Sequence, residues 1–246
     1  MQPVTGVVFR PQSPPEELRA VVEHADAAGL TELWLWEDCF LEGGLTTAAA
    51  ALAWSTRLHV CVGLLPVPFR NPALAAMEIA TLARLFPGRF TVVLGHGIPE
   101  WMDQVGAAVS SPMTLLREHT QAVRSLLAGE TVTVSGRYVR LDRVALDWPP
   151  AVVPTMLIGA RGPRSVALAG EITDGVLLDS VTDPAVVRRA RELVGPDRQV
   201  ALYTEVADPV GVDAWIDELA AAGASSVILQ ATEADPDPRR LIDALT

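Results

Sequence analysis

The feature that most constrains the fold is a regular alternation of short apolar runs with longer segments of helical periodicity. Short, mainly apolar runs are typical of strands covered on both faces, and strands that alternate with helices form a parallel sheet. Eight such runs occur, at residues 6–9, 32–36, 58–62, 90–94, 155–158, 175–178, 200–205 and 226–229. Eight strand-helix units are the number found in a closed TIM barrel, the (β/α)8 fold.

The competing α/β architecture is an open doubly wound sheet, which needs a glycine-rich turn after its first strand. Residues 9–15 read Phe-Arg-Pro-Gln-Ser-Pro-Pro and contain no glycine. We therefore expect an α/β protein with one TIM-barrel domain over residues 1–246. Functional residues should then lie at the C-terminal ends of the strands. His59 lies near the start of its strand and is expected to be structural.

Residues 130–146 interrupt the alternation. Alternating side chains on both sides of Ser135-Gly136 predict a β-hairpin, residues 131–134 pairing with 138–141, between the fourth helix and the fifth strand. Capping residues mark the ends of several helices. They are Ser13, in a capping box, and Gly29 for the first helix, Asn71 and Pro87-Gly88 for the third, Asp183 for the sixth, and Asp235 or Asp237 for the last.

Composition restricts the classes of partner. The formal net charge is -11, from 19 basic and 30 acidic residues, which argues against nucleic acid and acidic membrane surfaces because both require a basic face. No apolar run reaches the roughly 18 residues of a membrane span, and the N-terminus lacks the pattern of a signal peptide. Cys39 and Cys61 lack metal-ligand spacing. We expect a cytoplasmic protein with reduced thiols and no metal.

Residues 60–72, Val-Cys-Val-Gly-Leu-Leu-Pro-Val-Pro-Phe-Arg-Asn-Pro, join a buried strand to an irregular turn and a helix. Gly63 interrupts the apolar run, and the prolines at 66, 68 and 72 lack the amide donors that would extend the ladder, so we expect the strand to end here. Glycine also permits close approach of a flat ligand. The residues alone leave open whether this segment is a connector or a binding surface.

Ionisable residues follow the second and fourth strands. Asp38 is interpreted as a ligand contact in preference to a helix cap, and Glu37 stays undecided. After the fourth strand, His96, Glu100 and Asp103 converge beside two glycines. The pKa of histidine lies near neutrality and a partly dry pocket raises that of glutamate, so His96 and Glu100 are candidates for proton transfer.

A glycine-rich turn follows the fifth strand at residues 158–165, Ile-Gly-Ala-Arg-Gly-Pro-Arg-Ser. A helix starting at Pro163 would present free amides and the positive end of its dipole, and Arg161 and Arg164 add charge. The alternative is a solvated helix start whose arginines pair with surface carboxylates. We expect a ligand with a phosphate at one end and a planar apolar head at the other.

Four segments taken together carry a family resemblance. They are Leu-Trp-Leu-Trp-Glu-Asp at 33–38, the segment at 63–72, Pro-Gly-Arg-Phe-Thr-Val-Val-Leu-Gly at 87–95, and residues 159–165 followed by Ala-Gly-Glu-Ile-Thr-Asp-Gly at 169–175. Their order and spacing resemble the bacterial luciferase-like monooxygenase superfamily, within it the branch that uses the deazaflavin coenzyme F420. The resemblance covers nearly the whole chain.

The resemblance implies a barrel in which the deazaflavin lies across the C-terminal mouth, over a bulge with a non-prolyl cis peptide at Gly63-Leu64. It implies an acid or base role for Glu100 and places Asp38 near the deazaflavin ring. With His96, a candidate for proton transfer from its position after the fourth strand, these are the predicted catalytic residues. The implied cofactor contacts are Asp38, Gly63, Leu64, Leu65, Gly97, Ile98, Pro99, Asp103, Ala160, Arg161, Gly162, Arg164 and Ser165. Sugar-phosphate dehydrogenases of this branch carry a histidine directly after the aspartate, where this chain has Cys39, which weakens that choice of substrate.

The expected function is that of an F420-dependent oxidoreductase, which transfers a hydride between the reduced deazaflavin and a small organic substrate. One alternative is an FMN-dependent luciferase-like monooxygenase, and another is a non-catalytic flavin-binding barrel. A homodimer is expected because dimers are usual in the superfamily.

Overall fold

The computed structural model describes residues 2–246, and its centre is a closed barrel of eight parallel strands. The barrel strands are β1 (Val4–Phe9), β2 (Glu32–Leu35), β3 (His59–Pro66), β4 (Phe90–Gly95), β7 (Thr155–Gly159), β8 (Gly175–Leu178), β9 (Gln199–Glu205) and β10 (Ser226–Gln230). Each barrel strand pairs with the next barrel strand along the chain, and β1 closes the barrel by pairing with β10. The predicted TIM barrel is confirmed, and every predicted strand overlaps an observed one.

Helices follow the barrel strands and cover them from outside. They are α1 (Leu18–Ala28), α2 (Gly44–Trp54), α3 (Pro72–Leu85), α4 (Pro99–Gln104), α5 (Pro112–Leu127), α6 (Pro163–Ile172), α7 (Pro184–Val194), α8 (Val212–Ala221) and α9 (Arg239–Leu245). Leu18, Val21 and Val22 on α1 are almost completely buried, as the 3.6-residue period of an amphipathic helix requires. No helix within residues 2–246 has the length and apolar character that crossing a bilayer demands.

The hairpin predicted before the fifth barrel strand is present as β5 (Val132–Ser135) and β6 (Arg140–Val144). Its second strand starts two residues later than predicted. The reason is Glu118 of α5, whose carboxylate accepts hydrogen bonds from the amides of Arg137, Tyr138 and Val139 at 2.8, 2.8 and 3.0 Å. Those donors are therefore unavailable to the ladder, and pairing begins at Arg140.

Most helix ends follow the predicted signals. Gly29 ends α1 in the left-handed conformation, while Asn71 and Asp183 each accept the hydrogen bond of an N-cap from an amide two residues on. Asp237 accepts the Arg239 amide at the start of α9. The capping box at Ser13 is wrong, because the prolines after it form a separate short turn of 3-10 helix with no side-chain cap.

Strand β3 runs beyond the point where the prolines were expected to end it. Pairing with β4 shifts between Val62 and Leu65 and then resumes, with Pro66 opposite Gly95. A proline lacks the amide donor but keeps its carbonyl acceptor, so it tolerates this place in a ladder after a bulge. The bulge is formed by Gly63 and Leu64, and the peptide bond between them is cis, as predicted. A second cis bond, between Cys39 and Phe40, was not predicted.

Two apolar cores stabilise the barrel and its surrounding helices. The larger lies between the strands and the helices, and the smaller fills the barrel. The inner core consists of Val8, Trp34, Cys61, Val93, Leu157, Leu177, Ala201, Tyr203 and Ile228, with Trp36 and Leu64 packed against it. Trp34 and Tyr203 meet edge to face with ring centroids 5.5 Å apart. The barrel below its mouth is consequently packed with side chains, as is usual for this fold.

Candidate active site

The bulge in β3 supports a partly exposed side chain at the mouth of the barrel. Leu64 lies over Gly95 at the end of β4 and Gly159 at the end of β7. A Cβ atom added at either glycine would lie 2.5 Å from Leu64 Cδ2, so both positions must lack a side chain for Leu64 to occupy this place. We call this arrangement, Leu64 resting on Gly95 and Gly159, the Leu64 shelf.

The shelf is held from inside the barrel by Tyr203. Its hydroxyl donates a buried hydrogen bond of 2.9 Å to the carbonyl oxygen of Gly63. A side chain at position 63 would collide with that hydroxyl and with Leu177 and Trp34, so glycine is required there too. The aromatic residue that fills the barrel thus also fixes the bulge.

Asp38 follows β2 and is partly buried at the mouth. Burial raises the pKa of its carboxyl, and the negative charge of Asp179, which follows β8, raises the pKa further, whereas Arg10 lowers it. A carboxyl in this setting holds a proton at higher pH than an exposed aspartate does. It is therefore suited to hydrogen bonding or proton transfer at the mouth.

Arg10 was missed in the sequence, although it directly follows β1. It is 7% exposed, donates to the carbonyl of Ala231 at 2.7 Å, and lies over the ring of Trp36 at 5.3 Å from the centroid. Asp179 was missed in the same way, directly after β8. Functional residues of this fold lie at the C-terminal ends of the strands. Had that rule been applied to every strand, it would have selected both residues.

Glu37, left undecided in the sequence, is structural. It is 8% exposed and forms a two-pronged ion pair with Arg70, in which Nη2 lies 2.7 Å from Oε2. The same oxygen accepts the Gly44 amide at 2.8 Å, and His119 makes a hydrogen bond to the Arg70 carbonyl at 3.1 Å. With these partners, Glu37 ties the start of α2 to the segment that follows the bulge.

The loop after β4 divides the residues that were expected to converge. His96, Gly97, Pro99 and Asp103 line a cavity of about 230 Å³, which also touches residues just after the β3 bulge. Glu100 is exposed on the first turn of α4 and does not line the cavity, so the partly dry pocket expected around it is not found. Ile98, 39% exposed, also lies outside the lining.

His96 is half-buried, and burial lowers the pKa of its imidazole. Its Nδ1 atom is buried without a hydrogen-bond partner among residues 2–246. The ring is therefore mostly neutral at pH 7, with one nitrogen able to donate and the other to accept. His59, by contrast, is hydrogen bonded to Gly88 and Thr91 near the other end of the barrel, as a structural residue would be.

The glycine-rich turn after β7 leads into α6 as predicted, with Gly162 at the N-cap and Pro163 in the first turn. Arg164 is exposed beside the free amides of this turn, whereas Arg161 donates to Asp179 from Nε at 2.9 Å. Arg161 therefore pairs with a carboxylate, which was the alternative expected for this turn, whereas Arg164 is exposed where its charge was predicted. Ala160 is buried at the end of β7, and Ser165 donates to the sulfur of Met113 at 3.4 Å.

The last groups to place are the two cysteines and any cluster of metal-binding side chains. Cys39 and Cys61 are free thiols, and Cys61 is buried in the inner core. In the part of the chain that the structure describes, no group of three His, Cys, Asp or Glu side chains is arranged to hold a metal ion.

The family follows from a sequence comparison. The model for the luciferase-like monooxygenase family matches residues 3–201, which is most of the chain. This protein belongs to the luciferase-like monooxygenase family.

Named relatives are similar over part of their length. The 5,10-methylenetetrahydromethanopterin reductase of Methanolobus tindarius is 29% identical over 176 residues, which cover 71% of this chain and 53% of the relative. The F420-dependent glucose-6-phosphate dehydrogenase of Nakamurella multipartita is 34% identical over 128 residues, 50% of this chain and 37% of the relative. The chain thus spans about half the length, or less, of these relatives.

A solved structure matches the fold over its full extent. The coenzyme F420 dependent tetrahydromethanopterin reductase from Methanopyrus kandleri superposes with a TM-score of 0.86, covering 100% of this chain and 97% of that one at 17% identity. At that identity the likeness establishes the fold alone.

Proposed function

We propose that this protein is an F420-dependent oxidoreductase that transfers a hydride between the reduced deazaflavin and a small organic substrate. The observation that carries the proposal is the Leu64 shelf, an apolar side chain held at the mouth between a partly buried carboxyl and the amides at the start of α6. The relatives named for F420 and for methylenetetrahydromethanopterin reduction support the choice of reaction.

The residues present fit such a coenzyme. Leu64, held on the bulge at Gly63, offers an apolar support for a ring, and Asp38 offers a polar contact at the same mouth. The predicted contact of the Leu65 side chain is corrected, because Leu65 is 1% exposed and packs in the core between strands and helices. The turn at residues 161–165 offers free amides and Arg164 to a phosphate, whereas the amide of Ala160 donates to the carbonyl of Leu177 at 3.0 Å. We propose Gly97, Ile98, Pro99 and Asp103 as further contacts along the coenzyme. When bound, coenzyme F420 supplies or accepts the hydride.

The protein's own part is to exclude water and manage a proton. Trp36, Tyr203 and Leu64 form an apolar floor, while Asp38 and His96 lie in partly buried settings that shift their pKa values in opposite directions. Each of these two groups is a candidate for proton transfer, since burial shifts its pKa away from that of the exposed side chain. Because Glu100 is exposed, we expect Glu100→Gln to reduce turnover less than Asp38→Asn does.

Fluorescence titration with F420 and with FMN tests the proposal directly. We expect F420 to bind at micromolar concentration, and binding of FMN alone would refute the F420 assignment. An FMN-dependent monooxygenase would instead consume oxygen in the presence of reduced FMN. F420 binding without turnover on any organic acceptor would favour a non-catalytic barrel.

We also propose a homodimer. An exposed apolar stripe on α3 supports it: Leu74, Met77 and Leu85 are 47%, 57% and 66% exposed and share one face of the helix. Light scattering after size-exclusion chromatography should give twice the chain mass, and Met77→Glu should reduce it to one. Val210→Glu, at a residue 86% exposed between β9 and α8, is the matched control and should leave the mass unchanged. A monomeric wild type would refute the proposal.

A further inference from the structure

The cavity beside the β4–α4 loop has a composition that restricts what can occupy it. Val67 and Pro68, from the segment after the bulge, form one wall of the cavity. The other walls are formed by Met102 of α4, Val109 of the loop before α5, and Leu115 of α5. These walls are apolar. His96 and Asp103 are the polar side chains among the lining residues.

The charge of the lining argues against an anionic ligand. Among the described residues that line the cavity there is no lysine or arginine, and Asp103 adds an acidic side chain. A phosphate or carboxylate buried here would lack a cation to offset its desolvation. Phosphorylated sugars, such as the substrate in the name of the Nakamurella relative, are therefore disfavoured.

The size of the cavity sets the scale of the ligand. An apolar cavity of about 150 Å³ holds one benzene molecule. The volume here, about 230 Å³, suits a single ring with short substituents. The three fused rings of a deazaflavin contain more than twice the ring atoms of benzene, so the cavity would enclose only part of them. The cavity is therefore suited to a smaller molecule than the whole coenzyme ring.

His96 supplies the polar contact that such a ligand needs. The His96 side chain makes no hydrogen bond within residues 2–246, and of its two ring nitrogens only Nδ1 is buried, so Nε2 is the atom available to a ligand. A neutral imidazole can donate to a carbonyl oxygen or accept from a hydroxyl, so the same residue serves a ketone and the corresponding alcohol. An isolated polar group in an apolar pocket commonly fixes the orientation of a ligand.

We propose that this cavity is a binding pocket for an uncharged, single-ring organic ketone or alcohol, with the ligand oxygen hydrogen bonded to His96. The pocket shares its His96–Pro99 wall with the loop expected to run along the coenzyme. The assignment of the ligand as substrate rests on the proposed function, whereas the binding itself does not.

Cyclohexanone and cyclohexanol are the probes, and ligand-observed NMR titration of the full chain without coenzyme is the measurement. We expect both to bind, and cyclohexanecarboxylate and glucose 6-phosphate to bind at least about tenfold more weakly. Val109→Trp, which fills the pocket, should abolish binding. Val152→Trp, at a residue 61% exposed and outside the lining, is the matched control and should bind like the wild type. His96→Leu should weaken binding about two- to tenfold, the usual worth of one hydrogen bond.

Equal binding of cyclohexanone to the wild type and to Val109→Trp would overturn the assignment of this cavity as the binding pocket. If circular dichroism shows that Val109→Trp is unfolded, Ala108→Phe, at an exposed lining position, gives the same comparison. Competition between cyclohexanone and F420 would assign the cavity to the coenzyme and would also overturn the proposal. Ring binding without any F420 binding would refute the proposed function while leaving the pocket intact.

Discussion

Adding a single methyl group beneath Leu64 tests whether this side chain supports the coenzyme at the mouth of the barrel. Gly159→Ala places a Cβ atom 2.5 Å from Leu64 Cδ2. Carbon atoms in contact normally lie about 3.5–4.0 Å apart, so Leu64 must retreat by roughly 1 Å or more. Its side chain is partly exposed and has room to move toward the mouth, where the coenzyme ring is proposed to lie.

Overpacking of this kind costs about 1–3 kcal/mol. In the free protein Leu64 relieves most of that cost by moving outward. A ligand that presses Leu64 back restores the clash, so the cost falls on binding and corresponds to a rise in the F420 dissociation constant of about 5- to 150-fold. The free energy of unfolding should change by less than about 1 kcal/mol.

Fluorescence titration with F420 and urea unfolding measure the two quantities. Leu64→Ala removes the partner in the clash, so Gly159→Ala should weaken F420 binding less in the Leu64→Ala background than in the wild type. Gly162→Ala is the stability control, because a Cβ atom there meets nothing within 4 Å. Unchanged F420 affinity in Gly159→Ala would refute the role of Leu64 as a support for the coenzyme.

Other perturbations address stability. Arg70→Met leaves the buried carboxylate of Glu37 without its partner and should cost about 3–5 kcal/mol in urea unfolding, against less than about 0.5 kcal/mol for Arg19→Met in an exposed pair; similar losses would refute the assignment of Glu37. Burial lowers the pKa of His119 to about 4, so the unfolded chain binds the proton first and stability should fall as pH drops from about 6.5 to 4. His119→Gln should flatten that pH profile, and an unchanged profile would contradict the assignment. Tyr203→Phe leaves the bulge carbonyl unpaired and should cost about 1–3 kcal/mol by the same unfolding assay; a neutral effect would show that the bond does not hold the bulge.

The barrel was predictable because each buried parallel strand leaves an apolar run of its own in the sequence. The same holds for local caps, such as Asn71 and Asp183, whose partners lie two residues away. Ser13 failed as a cap because Pro14 and Pro15 impose a different turn, a competition that the capping pattern does not express.

Features that depend on distant partners were not predictable. Glu37 and Arg70 are 33 positions apart, and nothing local to either marks their pairing. Strand β3 continues because β4 offers a partner after the bulge, which the prolines in its own sequence do not reveal. The exposure of Glu100 depends on how α4 is oriented against the barrel, and spacing along the chain carries no information on that orientation.

The packing of Trp34 and Tyr203 inside the barrel has a kinetic consequence. With that passage filled, the mouth is the route by which a molecule resting on Leu64 arrives and departs. A second ligand that binds above the first blocks the exit of the first ligand until the second has dissociated. For two ligands stacked above Leu64, the first to enter is therefore the last to leave, whereas a ligand in the cavity beside the β4–α4 loop is not bound by that order.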